Sequence, residues 1–79
     1  MLDLAATLKD IAQAIVDSPE SVSVTVDSET DDSVNFVLSV APEDMGMVIG
    51  RHGRIAKAIR IVMKAAGSNC GKKVNVEIR

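Results

Sequence analysis

The sequence predicts an α+β fold in the order α-β-β-α-α-β, with three helices covering one face of a three-stranded mixed sheet. Three observations predict it. Apolar residues recur at helical spacing near the start and again after residue 54. Three short runs alternate apolar and polar residues, as half-buried strands do. The first two runs are joined by a short polar segment, which favours an antiparallel hairpin, whereas two helices separate the second run from the third. A crossover of that kind sets neighbouring strands parallel.

The elements follow in order. Asp3 can cap a first helix, since its carboxylate accepts from free backbone N–H groups. Leu4, Leu8, Ile11 and Ile15 then recur along one face, with Ala5 and Ala12 beside them. Asp17-Ser18-Pro19 stops the helix, because the residue before proline disfavours helical geometry. Val22, Val24 and Val26 form the first strand, Asp27 to Ser33 an acidic turn, and Val34, Phe36, Leu38 and Val40 the second strand. Ala41-Pro42-Glu43-Asp44 starts the second helix, with proline in the first turn and two acids near the positive end of the dipole. That helix ends near Gly50. A third runs from Arg54 to Ala66, stops at Gly67, and leads through a loop, Gly67 to Gly71, to a last strand of Val74, Val76 and Ile78. On a wheel of 100° per residue, Ala56, Ile59, Val62, Met63 and Ala66 face the sheet. Ile61 points roughly away from it, flanked by Ala58 and Ala65. Phe36, the only aromatic residue, is read as core.

All 79 residues are read as one domain, 1–79. A chain this short buries only about 60% of its unfolded surface, so it has a thin core. The lone cysteine, Cys70, excludes an intrachain disulfide and suits a reducing compartment. Met1-Leu2-Asp3-Leu4 is acidic, unlike a signal peptide. No apolar run nears the roughly 20 residues that cross a bilayer. The expectation is a cytoplasmic protein with no membrane insertion.

The net charge of −2 conceals a division of the chain. Residues 1–44 carry ten acids and one base, Lys9. Residues 45–79 carry eight bases and one acid, Glu77. A basic surface is what a phosphate chain meets, although segregated surface charge also serves solubility alone.

The basic half contains Val48-Ile49-Gly50-Arg51-His52-Gly53-Arg54. A lone G-x-x-G is weak evidence, but here it lies between two helices inside a β-α-α-β unit. A GXXG loop in that setting clamps about four nucleotides of backbone. Glycine lets phosphates approach the main-chain amides, and the following helix aims its positive end at them. Arg51 and Arg54 add charge. Met45, Met47, Ile49 and Ile55 are candidates for the groove wall, with the second strand beside them, or else are plain core residues.

Two stretches, Gly46 to Arg60 and Lys72 to Ile78, together resemble the type II KH domain and, more closely, the KhpA family of small bacterial RNA-binding proteins. The resemblance covers essentially the whole chain. Ile55-Ala56 departs from the broader KH pattern, which often has a large aliphatic where Ala56 stands. His52 replaces the lysine or glutamine often seen in the loop. The resemblance implies single-stranded RNA as partner, bound by Gly50, Arg51, His52, Gly53, Arg54, Ile49, Met47, Ile55 and Lys57. It also implies RNA chaperone or post-transcriptional activity, homodimerisation, pairing with a larger KhpB-like protein, and a link to cell length and cell-wall homeostasis.

No enzyme, cofactor, metal site or small-molecule substrate is expected. One His and one Cys make no metal-ligand cluster, and no G-K-[ST] follows at Walker A spacing. The rival reading is a protein-interaction module with little direct RNA affinity. Its surface would be Ala58, Ile61 and Ala65, where small residues let another helix come close, although single exposed hydrophobics are common.

Overall fold

The computed structural model describes residues 3–79. The first helix, α1 (Leu4–Ile15), begins as expected: Ala6 N–H donates to Asp3 Oδ1 at 3.1 Å. Leu8 and Ala12 are fully buried, with Leu4, Ile11 and Ile15 packed beside them. The chain turns extended at Val16, and Pro19–Ser21 forms a single 3₁₀ turn.

Strands β1 (Ser23–Glu29) and β2 (Ser33–Ser39) pair antiparallel, with Val24 opposite Leu38 and Val26 opposite Phe36. The register shifts between Val26 and Ser28, so Asp27 is taken up in a bulge. β1 therefore runs on to Glu29, and the turn shrinks from the expected Asp27–Ser33 to three residues. Thr30 N–H closes it by donating to Ser33 O at 2.8 Å. Val26 borders an open hollow with Leu4 and Ala5 of α1 and is 52% exposed, although its alternation with Val24 suggests burial.

After a 3₁₀ turn at Pro42–Asp44 come α2 (Met45–Ile49) and α3 (Arg54–Asn69). β3 (Lys73–Ile78) pairs parallel to β2, setting Val34 beside Val74 and Phe36 beside Val76. The strand order is β1-β2-β3. The core gathers Leu8 and Ala12, Val34, Phe36, Leu38 and Val40, Val48 of α2, Ile59 and Met63 of α3, and Val74 and Val76. Each of these side chains larger than alanine stabilises the fold by about 1.5–3 kcal/mol relative to exposure. The opposite sheet face is polar, with Asn75 donating to Asn35 and Asn35 to Ser28 across all three strands.

Two expectations for α3 need correction. The helix does not stop at Gly67 but runs to Asn69. Gly67 is buried within it because β3 crosses there: a Cβ would collide with the Val74 side chain and lie 2.6 Å from Lys72 O. The stop falls at Gly71, whose φ of 72° puts it in the left-handed region. Gly71 N–H donates to Ser68 O and Lys72 N–H to Gly67 O, the paired bonds of a Schellman motif. Val62 is 49% exposed rather than facing the sheet, leaving a buried stripe of Ala56, Ile59, Met63 and Gly67.

Candidate nucleic-acid interface

Val48 is fully buried and pins the short helix α2 to the core, which fixes where its end emerges. Gly50 N–H closes α2 on Gly46 O at 2.9 Å. The chain then turns sharply through backbone that side-chain-bearing residues rarely adopt. Gly50 has φ 76° and ψ 175°, His52 has φ 59°, and Gly53 has φ 73°. At Gly50 the requirement is double, because a Cβ would fall inside the Ile55 side chain and 3.0 Å from its amide nitrogen. Ile55 thus packs over the bare Cα and braces the loop. His52 tolerates the left-handed region better than most residues do.

Gly53 N–H donates to Gly50 O at 3.2 Å, making Arg51–Gly53 one tight turn before α3. No side chain caps α3 at Gly53. Arg54 N–H donates to Arg51 O, and the next amides of the 16-residue helix open beside the loop, with its positive dipole end behind them. Arg51, His52, Arg54 and Lys57 are exposed around this point. Among the described residues the ion pairs are Lys72–Glu29 and Arg79–Glu77, so the loop cations belong to none.

The expected site residues are thus drawn together at one end of α3. Met47 and Ile49 are exposed on α2, and Ile55 on α3. Met45 instead packs partly against the core. β2 cannot supply the groove's strand edge, since it is the central strand and is paired on both sides. The free edge beside α3 is that of β3. Lys73 N–H and Arg79 N–H turn toward the β2 side, so by alternation Val74, Val76 and Ile78 present their main chain outward. Arg60 Nε donates to Val76 O at 3.1 Å, tying α3 to that edge.

Reading the sequence missed Arg60 and Asp44. Asp44 is 1% exposed and does not cap α2. Its carboxylate reaches back 27 residues to accept from Asp17 N–H at 3.4 Å and Ser18 N–H at 3.0 Å. Those amides lose helical partners when Pro19 ends α1, which is the one signal that an acceptor is needed there. Ala58, Ile61 and Ala65 are exposed on one side of α3, Ile61 by 58%, and the displaced Val62 extends their surface.

A hollow of about 870 Å³ lies elsewhere, among Leu4, Val26, Phe36, Cys70 and Lys72. Among the described residues, no group of three or more His, Cys, Asp or Glu could hold a metal ion, and no helix is long and apolar enough to cross a membrane.

Comparison with known proteins bears on this geometry. A family model described as "KhpA/KhpB, KH domain" matches residues 5–78. A Listeria monocytogenes protein named RNA-binding protein KhpA is 53% identical over 68 residues, 86% of this chain and 88% of the relative. A Clostridium acetobutylicum protein of the same name is 52% identical over 71 residues, 90% of this chain and 93% of the relative. Among solved structures, an Aquifex aeolicus Era variant bound to GDP and AlF4− matches with a TM-score of 0.69 at 17% identity. That match covers 95% of this chain but 29% of the Era chain, and it shows a shared fold.

Proposed function

The chain belongs to the KhpA/KhpB KH-domain family, and on that premise we propose that it binds short single-stranded RNA segments at the Gly50–Gly53 loop. The observation that carries this reading is the loop backbone. Gly50, His52 and Gly53 lie at positive φ before a helix with no side-chain cap. Phosphates approach the main chain of the loop and the first turn of α3 there, and Arg51, Arg54 and Lys57 neutralise them. Met47, Ile49 and Ile55 give the bases an aliphatic wall, which suits a chain whose one aromatic residue is core. About three phosphate contacts correspond to a log–log salt slope of roughly −2. Weak, non-selective binding of this kind fits an RNA chaperone or post-transcriptional regulator acting in the cytoplasm. A KhpB-like partner and an influence on cell length and cell-wall homeostasis extend the proposal by family resemblance.

The test replaces Arg51 and His52 with aspartate. Both side chains are exposed, so the circular dichroism spectrum stays native. Binding to single-stranded RNA falls by at least tenfold. Wild-type affinity in the folded double variant removes the loop from the mechanism.

A second reading, association through α3, is favoured by the exposed run Ala58, Ile61, Val62 and Ala65. Two-fold pairing of this face sets Ile61 near its own mate and holds two loops at a fixed separation. Ile61→Asp then yields a folded monomer by light scattering, since two carboxylates meet in a desolvated seam. It weakens binding to long RNA more than to short RNA, because avidity is lost and each groove is intact. A dimeric Ile61→Asp variant places the interface elsewhere.

A further inference from the structure

Lys57, Arg60 and Lys64 stand at i, i+3 and i+7 on α3, which puts them on one side of the helix. The structure shows where that side looks. Arg60 Nε is bonded to Val76 O on β3, so the row faces the outer edge of β3. Farther along, Lys64 and Lys73 line one hollow of about 390 Å³ together with Ser68 and Lys72. Lys73 therefore borders the same hollow as Lys64, from the start of β3. At 1.5 Å per residue, Arg54 to Lys64 spans about 15 Å.

Solvated surfaces usually intersperse both signs of charge. Here the only acid after residue 44 is Glu77, and it pairs with Arg79. Lys72 is held by Glu29 and Thr30 O, but Lys57, Lys64 and Lys73 are in no ion pair among the described residues. The bond from Arg60 to Val76 O uses one of the five guanidinium donors. The row begins at the loop cations Arg51 and Arg54 without a break in sign.

We propose that single-stranded RNA leaving the Gly50–Gly53 loop continues along this row, its phosphates meeting Lys57, Arg60, Lys64 and Lys73. The footprint then exceeds the four nucleotides of the loop groove. This rests on the RNA-binding reading above and extends it to residues outside the loop.

The experiment compares wild type with Lys64→Gln/Lys73→Gln at matched oligomeric state by light scattering. Both side chains are exposed, and circular dichroism checks folding. Binding is measured to single-stranded RNAs of about four and about twelve nucleotides over a range of salt, a length that reaches past the four-nucleotide loop groove. The variant binds the short RNA as wild type does. It binds the long RNA roughly tenfold more weakly at 0.1 M salt, with a slope shallower by about 1.4 for two lost contacts. Wild-type affinity and slope on the long RNA overturn the proposal and leave the row to an acidic protein partner. The Arg51→Asp/His52→Asp variant separates the two readings. If long-RNA binding ignores that change yet falls with Lys64 and Lys73, the loop reading fails and the basic row stands alone.

Discussion

α3 is bracketed by glycines, Gly50 and Gly53 before it and Gly67 and Gly71 around its end. At the first end the main chain is presented to solvent: nothing lies within 4 Å of the position a Gly53 Cβ would take, no side chain caps the helix, and the neighbouring side chains are exposed cations. At the second end the main chain is sealed. Gly67 is pressed against Val74 and Lys72 O, and the last carbonyls are met by the amides of Cys70, Gly71 and Lys72. The same residue type leaves groups unmet at one end and satisfies them at the other. The difference lies in what each glycine touches, and it separates a surface that can hold a ligand from one that holds the fold together.

Substituting the glycines breaks this contrast in a graded way. Gly67→Ala has the largest effect on stability. Alanine gains about 1 kcal/mol of helix propensity, but the new methyl group meets a backbone carbonyl where helix and strand are already bonded. Overpacking of that kind costs about 1–3 kcal/mol. Two simultaneous collisions place the cost near the upper end, for a net loss of about 2 kcal/mol. The melting temperature falls by roughly 8–16 °C, while RNA affinity of the folded fraction is unchanged. Gly50→Ala comes next. Its collision is with the Ile55 side chain, which can rotate, and its backbone strain of about 1–3 kcal/mol is relieved by deforming an exposed loop. The loss of stability is smaller than for Gly67→Ala, and RNA binding drops by at least tenfold. Gly53→Ala meets no atom and bears only the cost of a left-handed residue, about 1–2 kcal/mol. Thermal melts and RNA titrations on the three variants check the order. A Gly67→Ala protein as stable as wild type contradicts the account of the sealed end.

Much of this molecule is legible in its sequence where the controlling interaction is local. The Asp3 cap, the alternation of Val34, Phe36 and Leu38, and the loop between two helices all depend on residues a few positions apart. Gly67 was not legible, because a helix stop and a close crossing both call for glycine, and only the position of Val74 decides between them. Asp44 was not legible either, since its partners are the amides of Asp17 and Ser18, brought near by the tertiary fold. Val62 lies at the margin of the buried stripe, where a helical wheel cannot tell how far the covering sheet extends. Within the candidate site the loop residues were plain from spacing, while the strand beside them was misread. The sequence order alone does not reveal that β2 is central and that β3 carries the free edge beside α3.

The central claim, that a four-nucleotide RNA seats at the open end of α3 and not at the sealed end, is tested most directly by amide NMR. A four-nucleotide single-stranded RNA is titrated into the labelled wild-type protein. The account predicts chemical-shift changes concentrated at Gly50, Arg51, His52, Gly53 and the first turn of α3, with Gly67 to Lys72 unmoved. Shifts centred on Gly67 to Lys72, or no shifts at the loop at saturating RNA, would contradict it.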